Sequence, residues 1–171
     1  CWKGILAGAT RNEAAGDSAL IYFYQQRPDS CPQPGAWLAS DSGLTRPSTQ
    51  QINAFAGSAV CYPIGPEYVT VFAGGREFIG RSLDRGKSWQ TVWHIPNAEV
   101  FTLFSHRRKF GALSSTVEEV IAEESIWAGG TVRESGINRP FISYSFDFGK
   151  NWQERSPQNF PGEVCRALAV D

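Results

Sequence analysis

Short runs rich in apolar, β-branched and aromatic residues recur along this 171-residue chain, and those leading into its repeated segment alternate with the period of two that a strand with one buried face requires. Runs of this kind cover residues 2–9, 19–24 and 37–40, then 54–62, 68–73, 78–82 and 89–95. A third group covers 100–105, 125–129, 141–145 and 153–154, and a last apolar run over 163–170 stands alone. Turn-forming Gly, Pro, Asn and Asp residues separate the runs, as in Pro63-Ile64-Gly65-Pro66. The period changes once. Val117, Val120 and Ile121 fall at i, i+3 and i+4 inside the Glu-rich stretch 116–125, which predicts a short helix there.

One segment recurs. Ile79-Gly80-Arg81-Ser82-Leu83-Asp84-Arg85-Gly86-Lys87-Ser88-Trp89 returns as Ile142-Ser143-Tyr144-Ser145-Phe146-Asp147-Phe148-Gly149-Lys150-Asn151-Trp152. Both copies read Ser-x-Asp-x-Gly-Lys-x-Trp after an apolar run. A worn third copy, beginning at Trp37-Leu38-Ala39-Ser40, keeps Asp41, Gly43 and Thr45 but lacks the first Ser and the Trp. Repetition of this kind points to a repeat architecture. The residue types suit a tight hairpin. An Asp carboxylate can accept hydrogen bonds from its own loop's N–H groups, and the Gly two places later suits a positive φ. The Trp then opens the next strand with a ring large enough to lie across a neighbouring sheet. On this reading Asp84 and Asp147 staple turns, and so does Asp41.

The motif resembles the Asp-box, the bacterial-neuraminidase repeat Ser/Thr-x-Asp-x-Gly-x-Thr/Ser-Trp. Ser82, Asp84, Gly86, Ser88 and Trp89 match every fixed position; Ser145, Asp147, Gly149 and Trp152 match with Asn151 where Thr or Ser is usual. In that family the box lies on the hairpin between the third and fourth strands of a β-propeller blade, in sialidases, sortilin-like receptors, photosystem assembly factors and several glycoside hydrolases. The resemblance implies an all-β fold of about three four-stranded antiparallel blades. Their bounds would be about 1–52, 53–98 and 99–160, with an extra strand over 163–170. Propellers typically close with about 4–8 blades. The expectation is therefore a part of a larger or oligomeric ring, whose partners are blades of a longer chain or of neighbouring subunits.

Composition narrows the function classes. Hydrophobic residues make up 42% and charged residues 19%, as in an ordinary globular protein, and 11 Phe with 6 Trp, 17 Gly and 10 Pro suit strands and turns. A formal net charge of −1 supplies no general attraction to nucleic acid. No apolar run reaches the roughly 20 residues of a membrane-spanning helix. The chain holds no Met. A start at Cys1 is compatible with signal-peptide cleavage, with a lipidated first residue outside the cytoplasm, or with an arbitrary fragment boundary. Cys1, Cys31, Cys61 and Cys165 are widely spaced and form no Cys-x-x-Cys. They allow three disulfide connectivities; alternatively, Cys61 and Cys165 are small buried apolar residues in strands.

The candidate chemistry is thin. A sialidase needs an arginine cluster, a Tyr nucleophile with its Glu, and an acid Asp, and the resemblance places an Arg-Ile-Pro ahead of the first box. Arg27-Pro28, Arg46-Pro47 and Arg139-Pro140 all lack the Ile, and none of Tyr22, Tyr24, Tyr62, Tyr68 and Tyr144 sits in a nucleophile motif. Calcium binding of the EF-hand kind needs Glu at loop position twelve, where the two copies offer Trp93 and Ser156. His106, Arg107, Arg108 and Lys109 form a basic cluster, read either as a binding loop or as a solvated loop pairing with the Glu-rich stretch after it. No catalytic, cofactor or metal residue is expected. The expected function is a non-catalytic extracytoplasmic module for structural assembly or for protein or glycan binding. The alternative is a fragment of a sialidase-like glycoside hydrolase whose catalytic residues lie elsewhere.

Overall fold

The computed structural model describes residues 4–8, 21–25, 36–39, 42–44, 51–60, 68–109, 122–156 and 162–169. They form nine strands and no helix. β1 (Gly4–Gly8), β2 (Ile21–Gln25) and β3 (Ala36–Ala39) make an antiparallel sheet in that order. A second antiparallel sheet runs β4 (Ile52–Val60), β5 (Tyr68–Ser82), β6 (Gln90–Lys109), β7 (Ala122–Glu134), β8 (Ile137–Ser145) and β9 (Gln153–Glu154). It does not close on itself. The expected all-β class is what the structure shows; its second sheet has six strands rather than four.

Where the apolar runs predict two strands each, β5 and β6 are continuous. β5 pairs with β4 through residues 68–75 and with β6 through 76–81. β6 pairs with β5 through 90–99 and with β7 through 98–109, crossing the expected boundary at 98/99. Each changes partner at a non-glycine residue with positive φ, Glu77 (65°) and Asn97 (59°). Such backbone is costly away from glycine and needs outside support. Here the two sites support each other. The Asn97 N–H donates to the Glu77 carboxylate at 3.1 Å, and His94 Nδ1–H donates to the Glu77 carbonyl at 2.8 Å.

β5 is a wall between two cores. Phe72 and Ile79 enter one, with Val100, Leu103, Ile126, Ala128 and Phe141; Val71, Ala73 and Phe78 enter the other, with Ile21, Ile52 and Trp89. Covering both faces explains its near-continuous apolar run, and each fully buried Phe contributes on the order of 2–3 kcal/mol. β8 keeps the plain alternation, with Phe141, Ser143 and Ser145 buried.

Two strand pairs are built alike. In β4–β5, Ile52 faces Gly75 and, after a bulge, Ala54 faces Gly74. In β6–β7, Val100 faces Gly130 and, after a bulge, Thr102 faces Gly129. The glycines admit close neighbours. A Cβ on Gly74 would lie 2.6 Å from Val100 Cγ1, and one on Gly129 would lie 2.7 Å from Cys165 Sγ. Gly8 of β1 repeats the relation, with Ile52 Cβ 2.8 Å from the same point.

Three expectations are corrected. Residues 106–109 are not a loop but the end of β6, and 122–125 are not helical but the start of β7; His106 faces Ser125, Arg107 faces Glu124, Arg108 faces Glu123 and Lys109 faces Ala122. A ladder that satisfies every backbone group at once outweighs a weak helical period. The rest of the expected helix, 116–121, lies outside the described residues. The terminal segment 162–169 belongs to none of the nine strands. β6 and β8 occupy both edges of β7, so the segment lies across the glycine-lined face of β7 instead. The Cys165 N–H donates to the Gly130 carbonyl at 3.0 Å, and the Thr131 hydroxyl reaches the Glu163 carbonyl at 2.8 Å.

Candidate functional site: two stapled loops and an aromatic face

The repeated motifs occupy equivalent places, joining β5 to β6 and β8 to β9. In the first, the buried Ser82 hydroxyl is the hub. It accepts the Gly86 N–H at 2.7 Å and donates to Asp84 Oδ1 at 2.8 Å. Asp84 accepts the Ser88 N–H on Oδ1 (2.8 Å) and the Ser88 hydroxyl on Oδ2 (2.5 Å). Trp89 Nε1–H closes the loop on the Gly86 carbonyl at 3.1 Å. The second loop repeats each bond. Ser145 accepts from Gly149 N–H at 2.9 Å and donates to Asp147 at 2.7 Å, and Trp152 Nε1–H donates to the Gly149 carbonyl at 3.0 Å. Asn151 replaces Ser88 without loss, its N–H and Nδ2–H reaching Asp147 Oδ1 and Oδ2 at 2.8 and 2.6 Å.

These contacts set the carboxylates' chemistry. Desolvation raises the pKa of both, and hydrogen bonds to the ionised form outweigh it. For Asp84 the Ser88 hydroxyl and N–H lead, and the carboxyl falls below its ordinary value. For Asp147 the Asn151 N–H and the Ser145 hydroxyl lead, and the value drops to about 2. Both acids are permanently ionised near neutral pH and occupied by their own loops. Gly86 and Gly149 have φ of 85° and 79°. Arg85 and Phe148 before them also have positive φ, 66° and 59°, which sequence reasoning missed because neither residue type favours that region.

Asp41 lies outside the described residues. Residues 42–44 follow β3, whose partner among the described residues is β2. They pack on the first full loop: the Trp89 N–H donates to the Ser42 carbonyl at 2.8 Å, and a Cβ on Gly43 (φ 87°) would lie 2.2 Å from the Trp89 carbonyl oxygen.

The second loop also meets the two strands that flank the first. Trp93 and Trp152 stack with centroids 4.9 Å apart and planes 4° from parallel, and Arg81 donates to the Phe148 carbonyl at 2.7 Å. Beyond the second loop, Phe104, Trp127 and Tyr144 stand in cross-strand register over β6, β7 and β8. Trp127 and Tyr144 lie 5.0 Å apart, Phe146 (59% exposed) flanks Tyr144 at 4.9 Å, and the Arg155 guanidinium sits 5.7 Å from the Tyr144 ring. Sequence reasoning missed this row, because its members lie on three strands whose register no local pattern announces.

The ingredients of glycoside hydrolysis do not gather among the described residues. Arg139 is held by Glu134 at 2.7 Å and Glu154 at 2.8 Å; these bonds raise its own pKa and lower those of the two acids. Tyr144 donates its hydroxyl to Gln153 rather than to a carboxylate. Among the described residues, no three His, Cys, Asp or Glu side chains cluster to hold a metal, and no helix is long and apolar enough to cross a membrane. Cys165 is a buried free thiol whose pKa burial raises, though not in a strand. Cys1, Cys31 and Cys61 lie outside the described residues. Comparison with protein-family models, with curated proteins and with solved structures gives no match in any of the three.

Proposed function

We propose that this chain is a non-catalytic module of stacked sheet layers of the Asp-box propeller kind, acting in assembly or in binding a protein or glycan. The observation that carries the reading is the congruence of the two stapled loops, bond for bond and in equivalent places. On this reading one layer comprises β4, both halves of β5 and the first half of β6. The next comprises the second half of β6 with β7, β8 and β9. The bulges after Ile52 and Val100, and the seats at Gly74 and Gly129, support that division.

The same loops argue against catalysis. A general acid needs a proton to give near neutral pH, and Asp84 and Asp147 are ionised and saturated there. The experiment is hydrolysis of a sialoside and of a neutral β-glucoside by the purified chain. No turnover of either is expected. Turnover lost in a Tyr144→Phe variant would overturn the proposal and favour the glycoside-hydrolase reading.

A further inference from the structure

We propose that the tips of the two stapled loops dock on an anionic lipid surface. Leu83, Phe146 and Phe148 enter the headgroup layer, and Arg85, Lys87 and Lys150 meet its phosphates. Such a surface adds a partner to the assembly, protein and glycan contacts proposed above, and it needs only the two loops.

Tight turns between strands are ordinarily polar at the tip, where the chain stands in water. Here the positions between the stapling residues carry large apolar side chains. Leu83 and Phe146 occupy the same place, directly after the buried Ser, and are 64% and 59% exposed. Phe148, directly after the second stapling Asp, is 41% exposed. Elsewhere among the described residues only Leu38 and Ile137 are large, apolar and exposed, so this surface is concentrated on the loops. The first loop has neighbours on both sides. Its Trp89 N–H donates to the Ser42 carbonyl, and Arg81 at its base donates to the Phe148 carbonyl of the second loop. Leu83 stands out of the fold with both contacts in place, and so does the Phe148 ring while its carbonyl is held. The tips are exposed by the design of the loops.

The occupant follows from what the loops can and cannot offer. The N–H groups of Gly86, Ser88, Gly149, Lys150 and Asn151 are all taken within the loops, so a peptide seeking main-chain pairing finds no donors there. Apolar side chains on projecting turns enclose nothing. They are buried by a medium that yields around them, as the boundary between lipid headgroups and acyl chains does. The charges agree. Asp84 and Asp147 hold the donors of their own loops, and the other charged residues of 82–89 and 145–152 are Arg85, Lys87 and Lys150, all basic, with Arg81 at the base of the first loop. Lys87 and Lys150 are exposed and occupy the same place in both loops. Their long stems let the ammonium groups stay at the phosphates while Leu and Phe lie deeper. The chain as a whole carries −1, so attraction to anionic lipid is local to this surface. The staples fix the shape of the tips beforehand, and little order has to be gained on contact.

The test is flotation of the intact chain with vesicles of phosphatidylcholine alone, and of phosphatidylcholine and phosphatidylserine in equal parts. Binding to the mixed vesicles and little to the neutral ones is expected, weakening as salt is raised. Leu83→Ser combined with Phe146→Ser should lower vesicle affinity about tenfold, because both apolar tips are lost. Lys87→Gln combined with Lys150→Gln should lower it about tenfold as well and flatten the salt dependence. Ile137→Ser removes an apolar side chain that is 72% exposed on a different turn, and should leave binding unchanged. All of these side chains are exposed, so the variants should unfold in urea as the parent does. Absence of binding to either vesicle overturns the proposal. So does equal binding to both, binding undiminished in both double variants, or a loss in Ile137→Ser as large as theirs. Retention of the chain on immobilised poly-glutamate but not on vesicles would assign the surface to an acidic protein, and overturns it too.

Discussion

The loop 82–89 and the loop 145–152 hold the same internal bonds in different surroundings. In the first, Trp89 is only 4% exposed, with Phe55 and Leu44 against it and its backbone clamped by residues 42–43. In the second, Trp152 is half-buried and stacks on Trp93. The staple is therefore a local device, set by Ser, Asp and Gly within eight residues, and the Trp is where it joins the tertiary structure. Changes to the staple should cost the same in both loops; changes to the Trp should not.

The largest expected effect is the one that separates the loops. Trp89→Ala empties a site enclosed on all sides and should cost about 3–5 kcal/mol, while Trp152→Ala, with part of its ring already in water, should cost about 2 kcal/mol less. Urea unfolding of the two variants measures the difference. Equal losses would mean that Trp152 is enclosed in solution by something further.

Next come the serines. Ser82 and Ser145 are each 1% exposed, and each accepts the N–H of a loop glycine. Replacing either by Ala leaves that buried N–H without a partner, at about 1–3 kcal/mol. The two losses should agree within about 0.5 kcal/mol, and the double variant should lose their sum to about the same margin. A larger gap would show that the staple depends on what packs around it.

That local character decides what could be read from the chain. Ser82, Asp84, Gly86 and Trp89 announce a turn because their whole purpose is served within eight residues. The strand pattern was legible for the same reason, as β8 shows with its regular alternation. The continuity of β5 and β6 was hidden by Glu77 and Asn97, whose left-handed backbone is supported by bonds between the two strands rather than by residue type. The third copy was legible only as a spacing of Asp41 and Gly43; that Gly43 has positive φ and lies close against the Trp89 backbone is a tertiary relation that spacing does not announce. The row Phe104–Trp127–Tyr144 needed the register of three strands, which is a property of pairing and not of any one segment.

A smaller effect is expected from pH. Asp147 titrates near 2 when folded against an ordinary value of 3.8, and Asp84 is shifted the same way. A carboxylate lowered by folding stabilises the fold above its unfolded pKa and loses that contribution as pH falls through the folded one. The thermal midpoint should therefore hold above about pH 4 and decline between about 4 and 2. Asp147→Asn and Asp84→Asn should each flatten part of that decline, and to a similar degree. A decline unchanged in the double variant would assign it to other carboxylates.

The smallest effect is the most specific. Asn151 and Ser88 occupy the same place, and each gives its Asp one backbone and one side-chain hydrogen bond. If the staple needs only a donor at that place, Asn151→Ser and Ser88→Asn should each stay within about 0.5 kcal/mol of the parent, the range of ordinary surface substitutions. Ala there should cost more than either, about 0.5–1.5 kcal/mol for one lost hydrogen bond to a charged acceptor partly compensated by water. The exchange is informative because it changes side-chain length and shape while preserving donor and acceptor. Should Asn151→Ser prove as costly as Asn151→Ala, the longer amide would be bridging a gap that Ser cannot, and the two loops would be alike in hydrogen-bond pattern but not in backbone geometry.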